Sequence, residues 1–249
     1  MLTDIWTVCR REWQEILYQR NKVWQTLLNE LFTLALFGIF FPLPLDNSGE
    51  DTTVSFTLWY LVPFLLLLAK VPDSFAGERE RHTLATLLAT RLSDRAIVLG
   101  KISAPVAYGW IATIIASWFG LIKVNVIYFK NAPIFYPLNS YLFGIGIGLL
   151  TTVFIATFGI LVSLRAKTVK QAQLSLSLYI VALSLVPVVV LLISSFLLPE
   201  AVNEYLASIL KMMDSTAFAL IGLSCFAVFD LLLIVFTLKR FRRNQLMLD

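Results

Sequence analysis

The sequence predicts an all-α integral membrane protein with six transmembrane helices, on three observations. Hydrophobic residues make up 58% of the 249-residue chain and charged residues only 14%, with a mean hydropathy of +0.80. Water-soluble domains carry about 25% charged residues. Apolar stretches of roughly 20 residues, the length that crosses a bilayer, recur along the chain. The net charge of +4 is modest, but the lysines and arginines gather in alternate connections, as they do when those connections share one side of a membrane.

Taken in order, residues 1–22 read as a helix lying on the membrane surface. Leu2, Ile5, Trp6, Cys9, Trp13, Ile16 and Leu17 follow the i, i+3, i+4 rhythm, while Asp4, Arg11, Gln14 and Glu15 face away. The two tryptophans suit the headgroup region. The first span covers 27–43 and ends at Pro42 and Pro44. No small-residue cleavage site follows it, so it is expected to stay as a span. After a polar loop with Asp46, Glu50 and Asp51, a second span covers 54–71. Lys70 at its edge, like Glu30 in the first span, is expected to reach water.

A charged amphipathic segment, 75–101, separates the second span from the third, 97–122. The loop 123–137 carries Tyr128, Phe129, Phe135 and Tyr136, aromatic residues suited to interfacial depth. The fourth span covers 138–164, and Arg165, Lys167 and Lys170 make the next loop basic. The fifth span covers 174–198, with a kink expected at Pro187. Residues 199–215 form a half-polar connector able to dip back into the membrane. The sixth span, 217–238, leads into a tail beginning Lys239, Arg240, Phe241, Arg242 and Arg243. The whole reads as one transmembrane domain over 1–249, with any energy-converting domain expected on another chain.

With both ends on one side, that side receives all of the 20 lysines and arginines except Lys123, Lys130 and Lys211. The positive-inside rule makes that face cytoplasmic. A multi-pass protein of the cell membrane with both termini in the cytoplasm is expected.

The residues exclude several chemistries. Cys9 and Cys225 lie far apart, which argues against a disulfide framework or a zinc site. A single histidine, His82, excludes a multi-histidine metal centre and has no matching nucleophile motif. Glu78 and Glu80, one residue apart, point about 200° from each other on a helix and cannot share a substrate. Gly144, Gly146 and Gly148 lie in an apolar span with no Lys-Ser/Thr after them, which points to close helix contact through Gly144 and Gly148 rather than to a phosphate loop. Asp230, about two turns from the end of the sixth span, is the deepest ionisable group. It reads either as a pathway or switch residue or as a hydrogen bond to a neighbouring helix. No enzyme activity, cofactor, metal or nucleic-acid partner is expected.

The 75–101 segment remains. Glu78, Arg79, Glu80, Arg81 and His82 crowd together polar groups that a bilayer interior would not accept. Leu84, Leu87, Leu88 and Leu92 then recur at helical spacing, with Ala85 and Ala89 beside them. Glu78 is spaced to pair with Arg81 and His82. A helix outside the membrane core with one apolar face is suited to dock in a groove of another protein. Joined to the second and third spans, it would move both.

This run resembles the signature of the ABC type-2 exporter permeases, approximately E-R-E-x-G-T-L-e-x-L-L-x-x-P with a later G-K. Glu78, Arg79, Glu80, Thr83, Leu84, Leu87, Leu88, Gly100 and Lys101 match it. His82 replaces the glycine, Ala85 the acidic residue and Arg91 the proline. The order of N-terminal helix, spans, basic loops and connector also resembles that family. The resemblance implies that the cytoplasmic loop 75–96 is a coupling helix, docked through Glu78, Glu80, Arg81, Thr83, Leu84, Leu87 and Leu88 onto a separate cytoplasmic ATP-binding-cassette ATPase. Gly100 and Lys101 would mark span entry, and a second permease, as homodimer or sister chain, would complete the pathway. An amphiphilic or hydrophobic substrate moved outward is the expectation. A haem-export-type permease of cytochrome c maturation and a non-transporting membrane scaffold are the alternatives.

Overall fold

The computed structural model describes residues 2–18, 28, 30–36, 61–128, 135, 138–197 and 216–241. Among them every regular element is a helix and there is no strand. The polar loop around 46–51, most of the first span, the connector 199–215 and the tail beyond 241 lie outside the described residues.

The N-terminal helix α1 spans Leu2–Tyr18. Helix α2, Leu61–Lys70, forms the end of the expected second span. Two short helices follow, α3 (Asp73–Glu80) and α4 (Leu84–Leu88). The long helices are α5 (Asp94–Tyr128), α6 (Leu138–Arg165), α7 (Val169–Leu197) and α8 (Thr216–Arg240). Pro187 lies inside α7.

Of these, α5, α6 and α8 contain stretches long and apolar enough to cross a membrane. Helix α5 has 35 residues, about 50 Å at 1.5 Å per residue. That exceeds the roughly 30 Å hydrocarbon core, so α5 projects several turns beyond it. Its first turn is set by Ser93, whose hydroxyl accepts from the N–H of Ala96 at 3.3 Å, an N-cap bond.

Helices α5 and α6 approach through small residues. A Cβ on Gly109 would lie 2.8 Å from Thr152 Cγ2, and one on Gly148 would lie 3.1 Å from Thr113 Cγ2. Gly144 is buried on the same helix. Close backbone approach of this kind is how helices associate where hydrophobic burial gives no net drive. Helix α8 packs on α6 and leaves Leu220, Ile221, Val228, Leu232 and Phe236 exposed, a surface suited to lipid.

The sequence placed the apolar stripe of α1 on Trp6 and its helical neighbours, and the structure corrects its centre. Val8, Glu12 and Ile16 are the buried line, whereas Trp6 is 67% exposed. The reason lies in α5: Gly100 has no side chain, and a Cβ there would sit 2.6 Å from Val8 Cβ and 3.2 Å from the Ile5 carbonyl oxygen. The glycine lets α1 lie flush against the start of α5.

The largest apolar core sits at the basic end of the bundle. Leu67, Val71 and Phe75 meet Leu84, Leu87, Leu88, Ile97, Val98, Ile102, Ile155 and Ile160 in one cluster. The charged segment therefore caps a core built from its own chain.

Candidate functional site

The segment between α2 and α5 is held by three sets of bonds, each to a different part of the fold. The first set fixes the start of α3. Ser163 of α6, fully buried, accepts from the N–H groups of Phe75 at 3.1 Å and Ala76 at 2.9 Å, and donates to the Pro72 carbonyl at 2.8 Å. One hydroxyl from a neighbouring helix thus satisfies donors that α3 leaves open at its N-terminus.

The second set fixes the end of α3 to the turn between α6 and α7. Arg79 donates to the carbonyls of Ala166 and, at 3.3 Å, Leu164, neutralising the open carbonyls that end α6. A carboxylate oxygen of Glu80 accepts from the Val169 N–H at 3.1 Å, at the first residue of α7. Arg79 and Glu80 thereby staple the segment to the next basic loop.

The third set is the densest. Lys101 is fully buried, with its ammonium 2.6 Å from Glu12 Oε1, 3.1 Å from Glu78 Oε1 and 2.7 Å from the Ser74 carbonyl oxygen. It also lies 4.9 Å from the centre of the Phe75 ring, a cation–π contact. All three donors of the ammonium have partners. Arg11 approaches Glu78 Oε1 at 3.5 Å and pairs with Glu15 at 3.0 Å. Carboxylate oxygens of Glu12, Glu15 and Glu78 lie within 4.8 Å of one another. Lys101 fills the position between Glu12 and Glu78 that a cation would otherwise take. Burial pushes the Glu12 carboxyl above its ordinary 4.5, against the pull of Lys101, and the charges on Glu15 and Glu78 add to the rise.

A second lysine does the same on the other flank of the segment. Lys70 Nζ lies 2.6 Å from Glu30 Oε1 and 3.1 Å from the Ile16 carbonyl oxygen, over the ring of Tyr108 at 5.3 Å. The sequence expected Lys70 and Glu30 each to reach water; instead they pair, both mostly buried. Lys70 and Lys101 bracket the segment, and both bond to α1.

The structure relocates several residues singled out from sequence. Glu78 does not pair with Arg81 and His82 but turns inward to Lys101. Arg81 reaches back to Asp73 at 3.3 Å, across Gly77, where a Cβ would lie 1.9 Å from an Asp73 carboxylate oxygen. Leu84, Leu87 and Leu88, expected as a docking face, are 6%, 4% and 1% exposed and belong to the chain's own core. Their amphipathic period is the same whichever protein covers it. The outward face of α4 and its flanks consists instead of Arg81, His82, Ala85, Thr86, Ala89, Thr90 and Arg91.

His82 is the one non-glycine residue with positive φ among the described residues, at 57°. The reason is a complete C-terminal cap of α3. The His82 N–H donates to the Arg79 carbonyl at 3.1 Å and the Thr83 N–H to the Glu78 carbonyl at 2.8 Å, the paired bonds of a Schellman motif with His82 at C′. Glycine is favoured there, and a side chain in this conformation costs about 1 kcal/mol.

Asp230 stands apart from these bonds. It is 2% exposed, and neither carboxylate oxygen has a hydrogen-bond partner among the described residues. The structure brings it to none of the segment residues.

Sequence reasoning did not single out Glu12, Ser163 or Ser74 as parts of one site. Glu12 alone carried a signal, as an acidic residue four positions from both Val8 and Ile16 on a buried line.

Comparison with known proteins agrees with this architecture. The family model described as ABC-2 type transporter matches residues 3–213. The chain is also 25% identical over 176 residues to the ABC transporter permease protein NatB of Bacillus subtilis (strain 168), covering 66% of this chain. The chain's match spans 45% of that relative's length.

Proposed function

This chain belongs to the ABC-2 type transporter family, a membrane transport component with several apolar spans, and we propose that it is the permease subunit of an ATP-driven exporter. A separate cytoplasmic ATP-binding-cassette subunit supplies the energy. Six spans, cytoplasmic termini, a second permease copy or sister chain, and an amphiphilic or hydrophobic cargo complete the reading. The excess of lysine and arginine on one side supports the orientation. The scarcity of charge within the apolar helices supports the cargo class.

The observation that carries the reading is the junction at Lys101. One ammonium joins α1 through Glu12, α3 through Glu78 and Ser74, and the membrane helix α5 on which it stands. A push delivered to the outward face of α4 is passed to α5 by bonds that cannot slip without exposing a buried charge. Four residues further along α5 comes Pro105, which has no N–H to give the Lys101 carbonyl. A helix bends most readily at such a point. The junction holds the outer end of α5, and the proline lets the rest follow at a different angle.

Reconstitution in liposomes with a cassette ATPase tests the proposal. ATP-dependent efflux of a fluorescent amphiphile is the expected result, with ATP turnover that depends on this chain. ATP-driven efflux that proceeds equally without the chain would end the reading.

A further inference from the structure

We infer that the seam between α6 and α8 is a binding site for a lipophilic organic cation: Asp230 supplies the counter-charge, Thr157 a second oxygen, and the phenylalanines around them the faces that hold a substituted ammonium. Reading that cation as cargo rests on the function proposed above; binding is tested apart from transport.

Asp230 and Thr157 come to one level of the seam. Phe154 of α6 meets Phe226 and Phe229 of α8, with ring centroids 6.2 and 6.1 Å apart. Thr157 stands about one turn past Phe154, and Asp230 about one turn past Phe226, each on the face that makes the contact. Gly146, about three turns before Thr157 on the same face of α6, approaches Leu223, about two turns before Asp230. The contacts advance together along both helices, so the two polar residues fall at matching height.

Both are buried, at 2% and 0% exposure, and neither the Asp230 carboxylate oxygens nor the Thr157 hydroxyl has a hydrogen-bond partner among the described residues. Thr113, Thr152 and Thr237, buried in α5, α6 and α8, each donate to a carbonyl of their own helix, as threonines in membrane helices do; Thr157 does not. An acidic group at membrane depth calls for a partner. The buried lysines are committed elsewhere, Lys70 to Glu30 and Lys101 to Glu12 and Glu78. Lys239 and Arg240 lie exposed, more than about two turns further along α8.

The surroundings choose the class of cation. Hard metal ions such as calcium take about 6–8 oxygen ligands, whereas aromatic faces attract organic ammonium ions. Phe154 stacks on Phe158 at 5.8 Å, and Phe158 meets Tyr179 of α7 edge-on at 5.9 Å, so the aromatic surface continues to a third helix. The seam also has slack. A Cβ on Gly146 would come no closer than 4.0 Å to Leu223, whereas those on Gly109 and Gly148 would lie 2.8 and 3.1 Å from the facing threonines between α5 and α6. Phe229 and Leu232, beside Asp230, are exposed, which gives the apolar body of the ligand a route from the bilayer.

The test measures binding of rhodamine 6G, a fluorescent organic cation with N–H donors, to the full chain in phosphatidylcholine nanodiscs, with empty nanodiscs subtracted. Wild type is expected to bind the dye and to release it to tetraphenylphosphonium but not to the isosteric anion tetraphenylborate. Asp230→Asn keeps the shape and is expected to melt no lower than wild type, yet to bind about tenfold more weakly, as for loss of one charged partner. Asp230→Glu should recover part of the affinity, and Thr157→Val should lose about threefold. Unchanged affinity in Asp230→Asn, or equal displacement by the two isosteric ions, would overturn the inference, while ATP-driven efflux of a neutral amphiphile would leave the proposed function intact. Displacement by calcium chloride at constant ionic strength would assign the seam to a metal ion and overturn it as well. Binding that depends on Asp230, without ATP-driven efflux of any amphiphile, would support the site and overturn the proposed function instead.

Discussion

Lys101 and Glu12, 89 residues apart in sequence, form a buried ion pair with 2.6 Å between Nζ and Oε1. The contact ties the N-terminal helix to the outer turns of α5, and Glu78 on the opposite side of the same ammonium ties in the loop. A buried pair of this kind is weak evidence for stability, because desolvation offsets much of its attraction. It is stronger evidence for registry, since the three elements can satisfy one another in few other arrangements.

Removing the cation should therefore cost more than the pair is worth. Lys101→Met leaves Glu12 and Glu78 buried without their counter-charge and is expected to destabilise the protein by about 3–5 kcal/mol. Adding Glu12→Gln to that variant should recover part of the loss. Thermal unfolding of the single and double variants in detergent measures the coupling, and additive losses would argue against a shared network.

The raised Glu12 carboxyl sets a pH dependence with a definite sign. Below its ordinary 4.5 the group is protonated in both folded and unfolded chains and contributes nothing. As pH rises through 4.5 the unfolded chain releases its proton first, so the folded state loses stability until the folded carboxyl also ionises. Relative to Glu12→Gln, wild type should lose up to about 1.4 kcal/mol per pH unit in that window. Melting curves of the two proteins from pH 4.5 upward measure it; a difference that moves the other way would contradict the assignment.

Gly100 predicts a steric effect separate from charge. Gly100→Ala places a Cβ 2.6 Å from that of Val8, so α1 must lift from α5. A loss of about 1–3 kcal/mol is expected, as for other overpacked contacts. Faster proteolysis within α1 would accompany it.

The inward leucines and the outward face of α4 should respond differently. Leu87→Ala empties a core position and is expected to cost about 2–5 kcal/mol. Thr86→Asp, at an exposed position, should change stability by no more than about 0.5 kcal/mol while reducing ATPase stimulation. Equal melting temperatures for both variants would place the leucines outside the core.

The membrane class of this chain was legible because composition and charge segregation are sums over many residues, which no single contact can overturn. The segment 75–101 was legible too, because five adjacent polar groups cannot sit in hydrocarbon. Which way its helix faced was not. Leu84, Leu87 and Leu88 have the same spacing whether they meet Leu67 and Ile97 of their own chain or a groove in another. The i, i+3 spacing of Glu78 and Arg81 is visible in sequence, whereas the true partner Lys101, 23 residues away, is not. The departure at His82, a histidine in place of the signature's glycine, was visible, but its backbone conformation required the positive φ. Ser163 gave no signal, since a serine in an apolar helix commonly bonds its own backbone.

The central claim is that α1, the loop and the start of α5 move as one body when the partner ATPase acts. Spin-label distances in the complex, trapped with and without ATP, test it most directly. One pair would join exposed Trp6 on α1 to exposed Arg91 on the loop, and a second would join Arg91 to its counterpart in the opposing permease. The first distance is predicted to stay constant while the second changes by about one helical turn, ~5 Å. A first distance that changes as much as the second would contradict the claim.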